Sequence, residues 1–140
     1  MSERRLLACF AHPDDEAFPV GGALALHAHQ GVKIRLVTTT LGEEGEIRQP
    51  GLATQETLGL TRKLELAASA ETLGIHEHSV LGYRDSGMAG TAPNNHPDAY
   101  INVPDELIVE QLVKHIREFK PQVLLTFEKG GLYGLSLIHI

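Results

Sequence analysis

The chain predicts a three-layer α/β domain with a mainly parallel sheet, on three observations. Short apolar runs alternate with longer Ala- and Leu-rich runs of helical period. Gly- and Pro-containing segments separate them, and the residues richest in chemistry follow the apolar runs rather than interrupt them. Such alternation builds βαβ units, whose right-handed crossovers lay strands parallel between layers of helix. Open sheets of this Rossmann-like kind take their ligands outside the carboxyl ends of the strands.

Arg5-Leu6-Leu7-Ala8-Cys9-Phe10 is short, mostly apolar and bounded by Pro13, which predicts a buried first strand. It delivers Ala11-His12-Pro13-Asp14-Asp15-Glu16 to the rim. One imidazole and three carboxyl side chains within five residues is a costly charge density. No base close in sequence offsets it, whereas a divalent cation would. The competing reading is a turn that only caps the helix after it.

Gly21 to Gln30 is that first helix, closed by Gly31 in a left-handed cap. Val32 to Thr39 alternates and is β-branched, which predicts the second strand. Leu41 to Ala53 carries three Gly, Pro50 and three Glu without period, a long loop leaving that strand. A second helix is expected from about Thr57 to Leu73, with Leu64, Leu66, Ala67, Ala68, Ala70 and Leu73 inward and Arg62, Glu65, Ser69 and Thr72 opposite. After Gly74, His76 to Tyr83 reads as a third strand that returns Asp85 to the rim. Gly87 to Asn102 reads as a loop able to fold over the rim. Ile108, Leu112, Ile116 and Phe119 set a third helix behind Pro104, Asp105 and Glu106. Gln122 to Phe127 is a fourth strand, and Glu128 to Gly134 another rim loop.

At 140 residues the chain fits one domain. A net charge of -6, a pI near 5.7 and scattered bases argue against a nucleic-acid or anionic-membrane surface. No apolar run approaches the roughly 20 residues that span a bilayer, and nothing at the start reads as a signal peptide. The single cysteine, Cys9, lies inside the first strand, a core position rather than a nucleophile. A cytoplasmic setting is expected.

AHPDDE, Gly21-Gly22, Leu41-Gly42-Glu43-Glu44-Gly45-Glu46 and Leu81-Gly82-Tyr83-Arg84-Asp85-Ser86-Gly87-Met88 together resemble, in order and over most of the chain, the LmbE/PIG-L superfamily of zinc-dependent N-acetylglucosamine deacetylases. YRDSGM followed by Asn95-His96-Pro97-Asp98-Ala99-Tyr100 is similar to the bacterial, mycothiol-biosynthesis-like branch that acts on N-acetylglucosaminyl-inositol and related thiol-sugar conjugates. The resemblance implies a Zn2+ cofactor and a small-molecule N-acetylglucosaminyl conjugate whose amide is attacked by metal-bound hydroxide. It implies His12 and Asp15 as metal ligands, Asp14 as general base and Tyr133 as the group that stabilises the oxyanion. Arg62 and Asp85 match positions that grip sugar or inositol hydroxyls, and Glu46 matches an acidic rim residue. On the residues alone, Arg62 reads equally as a surface partner of Glu65, and Tyr133 as a solvated loop aromatic. His27, His29, His76, His78 and His115 read as structural or exposed; His96-Pro97-Asp98 imitates the metal motif inside the expected substrate loop.

A catalytic zinc wants about three protein ligands and one open position. The family's third ligand is the second His of a Gly-His-Pro-Asp-His run after the Tyr-Gly matched by Tyr133-Gly134. Here Leu135-Ser136-Leu137-Ile138-His139-Ile140 follows instead. One codon reading of those six residues, CTG-TCT-CTT-ATA-CAC-ATC, resembles a transposon-end adapter. The expectation is therefore that residues 1–134 are the amino-terminal part of such a domain, its carboxyl-terminal part missing, that 135–140 are a non-native tail, and that the chain as given binds zinc poorly and is itself inactive. Two rivals stay open: a nucleotide- or phosphate-binding α/β module, weakened by the lack of a P-loop or G-x-G-x-x-G sequence, and a non-catalytic sugar-binding fragment.

Overall fold

The computed structural model of the chain describes residues 3–128. β1 (Arg5–Phe10), β2 (Lys33–Thr40), β3 (Glu77–Tyr83) and β4 (Val123–Leu125) form one sheet in the order β3-β2-β1-β4. All three pairings are parallel. Helices α1 (Gly21–His29), α2 (Leu58–Leu73) and α3 (Asp105–Phe119) make the crossovers. Tyr133, most of the expected last rim loop and the segment 135–140 lie outside the described residues.

The period of two along β1 decides the layering. Leu6, Ala8 and Phe10 join Ile34 and Leu36 of β2, Leu24 of α1 and Leu66 of α2 in one cluster. Leu7, one residue out of phase, packs with Val37 and with Phe119 of α3. A strand buried on both faces reads as a continuous apolar run, which is why β1 shows no polar alternation. Each fully buried Leu or Ile in these clusters stabilises by about 1.5–3 kcal/mol. The chain steps from β1 to β2 to β3 in one direction, then α3 returns it to β4 on the far side of β1. The crevice of the sheet thus opens at the carboxyl end of β1, where the strand order reverses.

Gly31 (φ 76) and Gly74 (φ 72, ψ 26) end α1 and α2 in the left-handed region, as the sequence predicts. One expectation needs correction and another gains detail. Ser69 does not face away from the core: its Oγ donates to Glu16, and the inward stripe of α2 runs through Leu58, Arg62, Leu66, Ser69 and Ala70 while Leu60 and Leu64 are exposed. Two polar residues on that stripe face the motif, so apolar spacing alone rotates the helix wrongly. The 87–102 segment, secondly, has Gly87 and Met88 lining the rim pocket and is anchored at its far end. It forms 3-10 turns at Pro93–Asn95 and Tyr100–Asn102, buries Ala99 and Tyr100, and is tied by a bridge between Arg84 and Ala99. Tyr100 lies against Tyr83 with ring centroids 5.2 Å apart. No described helix is long and apolar enough to cross a membrane.

Candidate metal centre at the carboxyl rim

The threonines that end β2 fix where the motif starts. The Ala11 carbonyl accepts from Thr40 N (3.0 Å), Thr39 Oγ1 (3.1 Å) and Thr40 Oγ1 (3.2 Å). The chain then turns tightly: Ala17 N and Phe18 N both donate to the Asp14 carbonyl. Asp14 sits at φ 104, a region that L-residues enter at a cost of about 1–3 kcal/mol.

His12 is buried and held from two sides. Its Nε2 lies 3.2 Å from Asp85 Oδ1, and its Nδ1 lies 3.9 Å from Asp15 Oδ2, which also accepts from the His12 amide at 2.9 Å. Asp85, 4% exposed, accepts in addition from Gly87 N (3.1 Å) and Glu44 N (3.2 Å). Burial pushes the Asp85 carboxyl up, but the His12 hydrogen bond and charge and the two amides outweigh it and hold it below the ordinary value. A carboxylate held ionised can only accept, so His12 Nε2 is the donor in this pair. Asp15 is shifted the other way, upward by burial against the opposing pull of His12.

Asp14 is the outermost of these groups. Its side chain is 72% exposed and pairs with Arg62 Nη2 at 2.9 Å. Loss of hydration raises its carboxyl somewhat, Arg62 opposes the shift, and surrounding water screens both effects. Arg62 also donates to the carbonyls of Gly42 (2.8 Å) and Pro13 (2.5 Å). The guanidinium therefore supplies from α2 the positive charge that the motif lacks in its own sequence, and no surface pair with Glu65 forms. The LGEEGE segment accommodates it: Gly42 has φ 64, and a Cβ there would stand 1.9 Å from Arg62 Nη1. Glu16, by contrast with its neighbours, is 1% exposed, a burial that motif spacing does not reveal.

His12, Asp14, Arg62 and Asp85 line an open pocket of about 790 Å3, together with the 44–49 segment and Met88. Five carboxylates (Asp14, Glu44, Glu46, Glu65 and Asp85) face two guanidiniums (Arg48 and Arg62) across it. Glu46 stands at the outer edge, paired with Arg48 at 3.3 Å. His96 is not at this site; its Nδ1 accepts from the Asp98 amide in a local turn.

Whether zinc suits the residues present is a matter of spacing. Two donors bound tetrahedrally at about 2.0–2.2 Å from zinc stand about 3.3 Å apart, a small adjustment from the 3.9 Å between His12 Nδ1 and Asp15 Oδ2. Metal-bound imidazoles commonly donate their other N–H to a carboxylate, as His12 does to Asp85. His12 and Asp15 thus fit two ligand positions. Among the described residues no group of three His, Cys, Asp or Glu side chains is arranged to hold a metal ion.

A family model described as PIG-L, GlcNAc-PI de-N-acetylase, matches residues 7–135. A 1D-myo-inositol 2-acetamido-2-deoxy-alpha-D-glucopyranoside deacetylase of Thermobispora bispora is 45% identical over 143 residues, which cover 96% of this chain and 47% of the relative. The chain spans about half the length of the curated relatives it matches. Among solved structures, the 4-carboxy-2-hydroxymuconate hydratase GalB of Pseudomonas putida KT2440 superposes with a TM-score of 0.71 at 27% identity, over 95% of this chain and 50% of the hydratase. The N,N'-diacetylchitobiose deacetylase of Pyrococcus horikoshii gives 0.75 at 24% identity, over 97% and 45%, a likeness of fold.

Proposed function

The chain belongs to the GlcNAc-PI de-N-acetylase (PIG-L) family, and from that premise we propose that it is a zinc-dependent hydrolase removing the acetyl group from a small-molecule N-acetylglucosaminyl conjugate. The observation that carries the reading is the held imidazole, with Nε2 on Asp85 and Nδ1 toward Asp15, beneath an exposed Asp14 that opens on the pocket. Zinc, when bound by His12 and Asp15, would polarise the acetamide carbonyl and make a water more acidic. Asp14 is placed to accept a proton because it is exposed and is held by Arg62 through Oδ2 rather than by the imidazole. Arg62 holds Asp14 in place and keeps N–H groups near the pocket for a sugar hydroxyl. Asp85 works on the imidazole and, with Glu46 farther out, offers acceptors to inositol or sugar hydroxyls. Tyr133 takes the oxyanion role by its match to the family. A cytoplasmic setting completes the reading, consistent with the free Cys9.

The likeness to a hydratase suggests a second reading, addition of water to a carboxylated substrate. The charge of the pocket argues for the first. Five carboxylates against two guanidiniums repel a muconate bearing several carboxylates and suit an uncharged polyol. The test supplies zinc-loaded protein, continued past Gly134 to the full length of its relatives, with N-acetylglucosaminyl-inositol and measures release of primary amine, with 4-carboxy-2-hydroxymuconate as the competing substrate. Amine release alone supports the deacetylase; zinc bound with no amine released, or turnover of the muconate instead, overturns it.

A further inference from the structure

Glu16 is 1% exposed, and its carboxylate meets no Lys or Arg among the hydrogen-bond and ion-pair partners of the described residues. Oε1 accepts from Ser69 Oγ at 2.5 Å and Oε2 accepts from the Asp14 amide at 3.0 Å. Burying a carboxylate is costly unless its oxygens are satisfied, so both bonds have structural consequence. One joins the motif to α2; the other reaches back two residues to the amide of the one motif residue whose φ, at 104, is positive. Arg62 stands two turns before Ser69 on the same stripe of α2 and takes the Asp14 side chain and the Pro13 carbonyl. Backbone and carboxylate of Asp14 are therefore gripped separately from one helix.

We propose that Glu16 and Ser69 are positioning residues: a clamp that keeps Asp14 in its left-handed turn and aims its carboxylate into the pocket. The inference rests on the reading of Asp14 as proton acceptor. Without the clamp Asp14 relaxes toward negative φ, and its side chain swings away from the His12 and Asp15 side of the rim. The donors dictate what can substitute. Gln retains both contacts by turning its amide so that Nε2 donates to Ser69 Oγ and Oε1 accepts from Asp14 N. Ala retains neither.

The experiment compares Glu16→Gln, Glu16→Ala and Ser69→Ala in zinc-loaded protein, continued past Gly134 to the full length of its relatives, by three readings: amide hydrogen exchange at Asp14, zinc content, and kcat and KM on the N-acetylglucosaminyl conjugate. Glu16→Ala should speed exchange at Asp14 by about tenfold or more while leaving Thr40, bonded to Ala11, unchanged. It should keep zinc and lower kcat by about 10–100-fold, the range for an outer support of a site, with little change in KM. Glu16→Gln should stay close to wild type, and Ser69→Ala should fall between. Wild-type exchange at Asp14 in Glu16→Ala overturns the clamp, as does a Gln variant no better than Ala. If Glu16→Ala does not fold, unchanged exchange and kcat in Ser69→Ala overturn it equally. A wild type that binds zinc without releasing amine sinks the deacetylase reading alone, because exchange at Asp14 still decides the clamp.

Discussion

The two ends of the sheet treat charge in opposite ways. At the amino end, Arg35 of β2 is buried, and its guanidinium forks onto Glu77 (2.9 and 3.0 Å), reaches Glu118 at 3.3 Å and lies 4.8 Å over the Phe119 ring. Lys33 pairs with Glu3 at 2.9 Å beside it. These pairs join β2 to β3, α3 and the segment before β1, and they match acid with base. At the carboxyl end the pocket lining has more acids than bases, and the tightest contacts bind motif residues to one another and to Arg62. One end spends charge on joining elements; the other keeps acceptors in reserve for something that is not protein. Substitutions at the two ends should accordingly fail in different measurements.

The largest effect should come from Asp14→Asn in protein continued past Gly134 to the full length of its relatives. Turnover falls by about 10²–10⁴-fold, the usual contribution of a positioned proton acceptor, while zinc content and melting temperature hold, since Asn tolerates positive φ. Asp15→Asn should instead lower zinc affinity by more than the roughly 10–100-fold expected of an outer partner, measured by titration against a chelator. Equal zinc loss in the two variants would erase the division of labour between them.

At the other end, Arg35→Met should cost about 2–3 kcal/mol by denaturant midpoint, discounted from a fully buried pair because Glu77 and Glu118 remain solvated. Turnover per folded molecule should be unchanged; a kcat loss without destabilisation would break the contrast. Asp85 sharpens it through pH. Its folded carboxyl lies below the ordinary value, so its stabilisation is complete above the unfolded value of about 3.9 and is lost as pH falls through the folded one. Asp15, raised by burial, acts with the opposite sign. The melting-temperature gap between wild type and Asp85→Asn should therefore narrow below about pH 4; a constant gap would rule out the linkage. The smallest effect belongs to Cys9, whose thiol burial pushes up to about 12. Iodoacetamide at pH 8 should leave it unmodified in native protein and alkylate it once the chain is unfolded.

The strands and helices were legible because each carries its own period, cap or breaker, as with Gly31, Gly74 and the apolar spacing of α3. The meeting of His12, Asp14, Asp15, Arg62 and Asp85 was legible through motif order, since parallel strands bring the segments after β1, β2 and β3 to one rim. Ser69 and Glu16 were not, because a polar residue on a buried stripe and a buried acid in an acidic run look solvated when only spacing is read. Nor was the packing of 87–102, whose fixed points are two residues, Ala99 and Tyr100, in a segment without period. Gly42 could have been read earlier: a glycine beside acids invites the question of what large side chain needs the space.

The strand order also bears on the sequence of events in folding. Leu6 of β1 pairs with Ile34 across one helical crossover, but with Val123 only across a far longer stretch that includes β2, α2, β3 and α3. Among the described residues, every one that lines the pocket lies between His12 and Met88. Loop closure is less costly for the nearer pairings, so β1, β2 and β3 with α1 and α2 should assemble first, and three-residue β4 should dock after them. The described part of the rim then takes shape before α3 covers the opposite face of the sheet, so the charge of the pocket is set ahead of one of its two supporting layers.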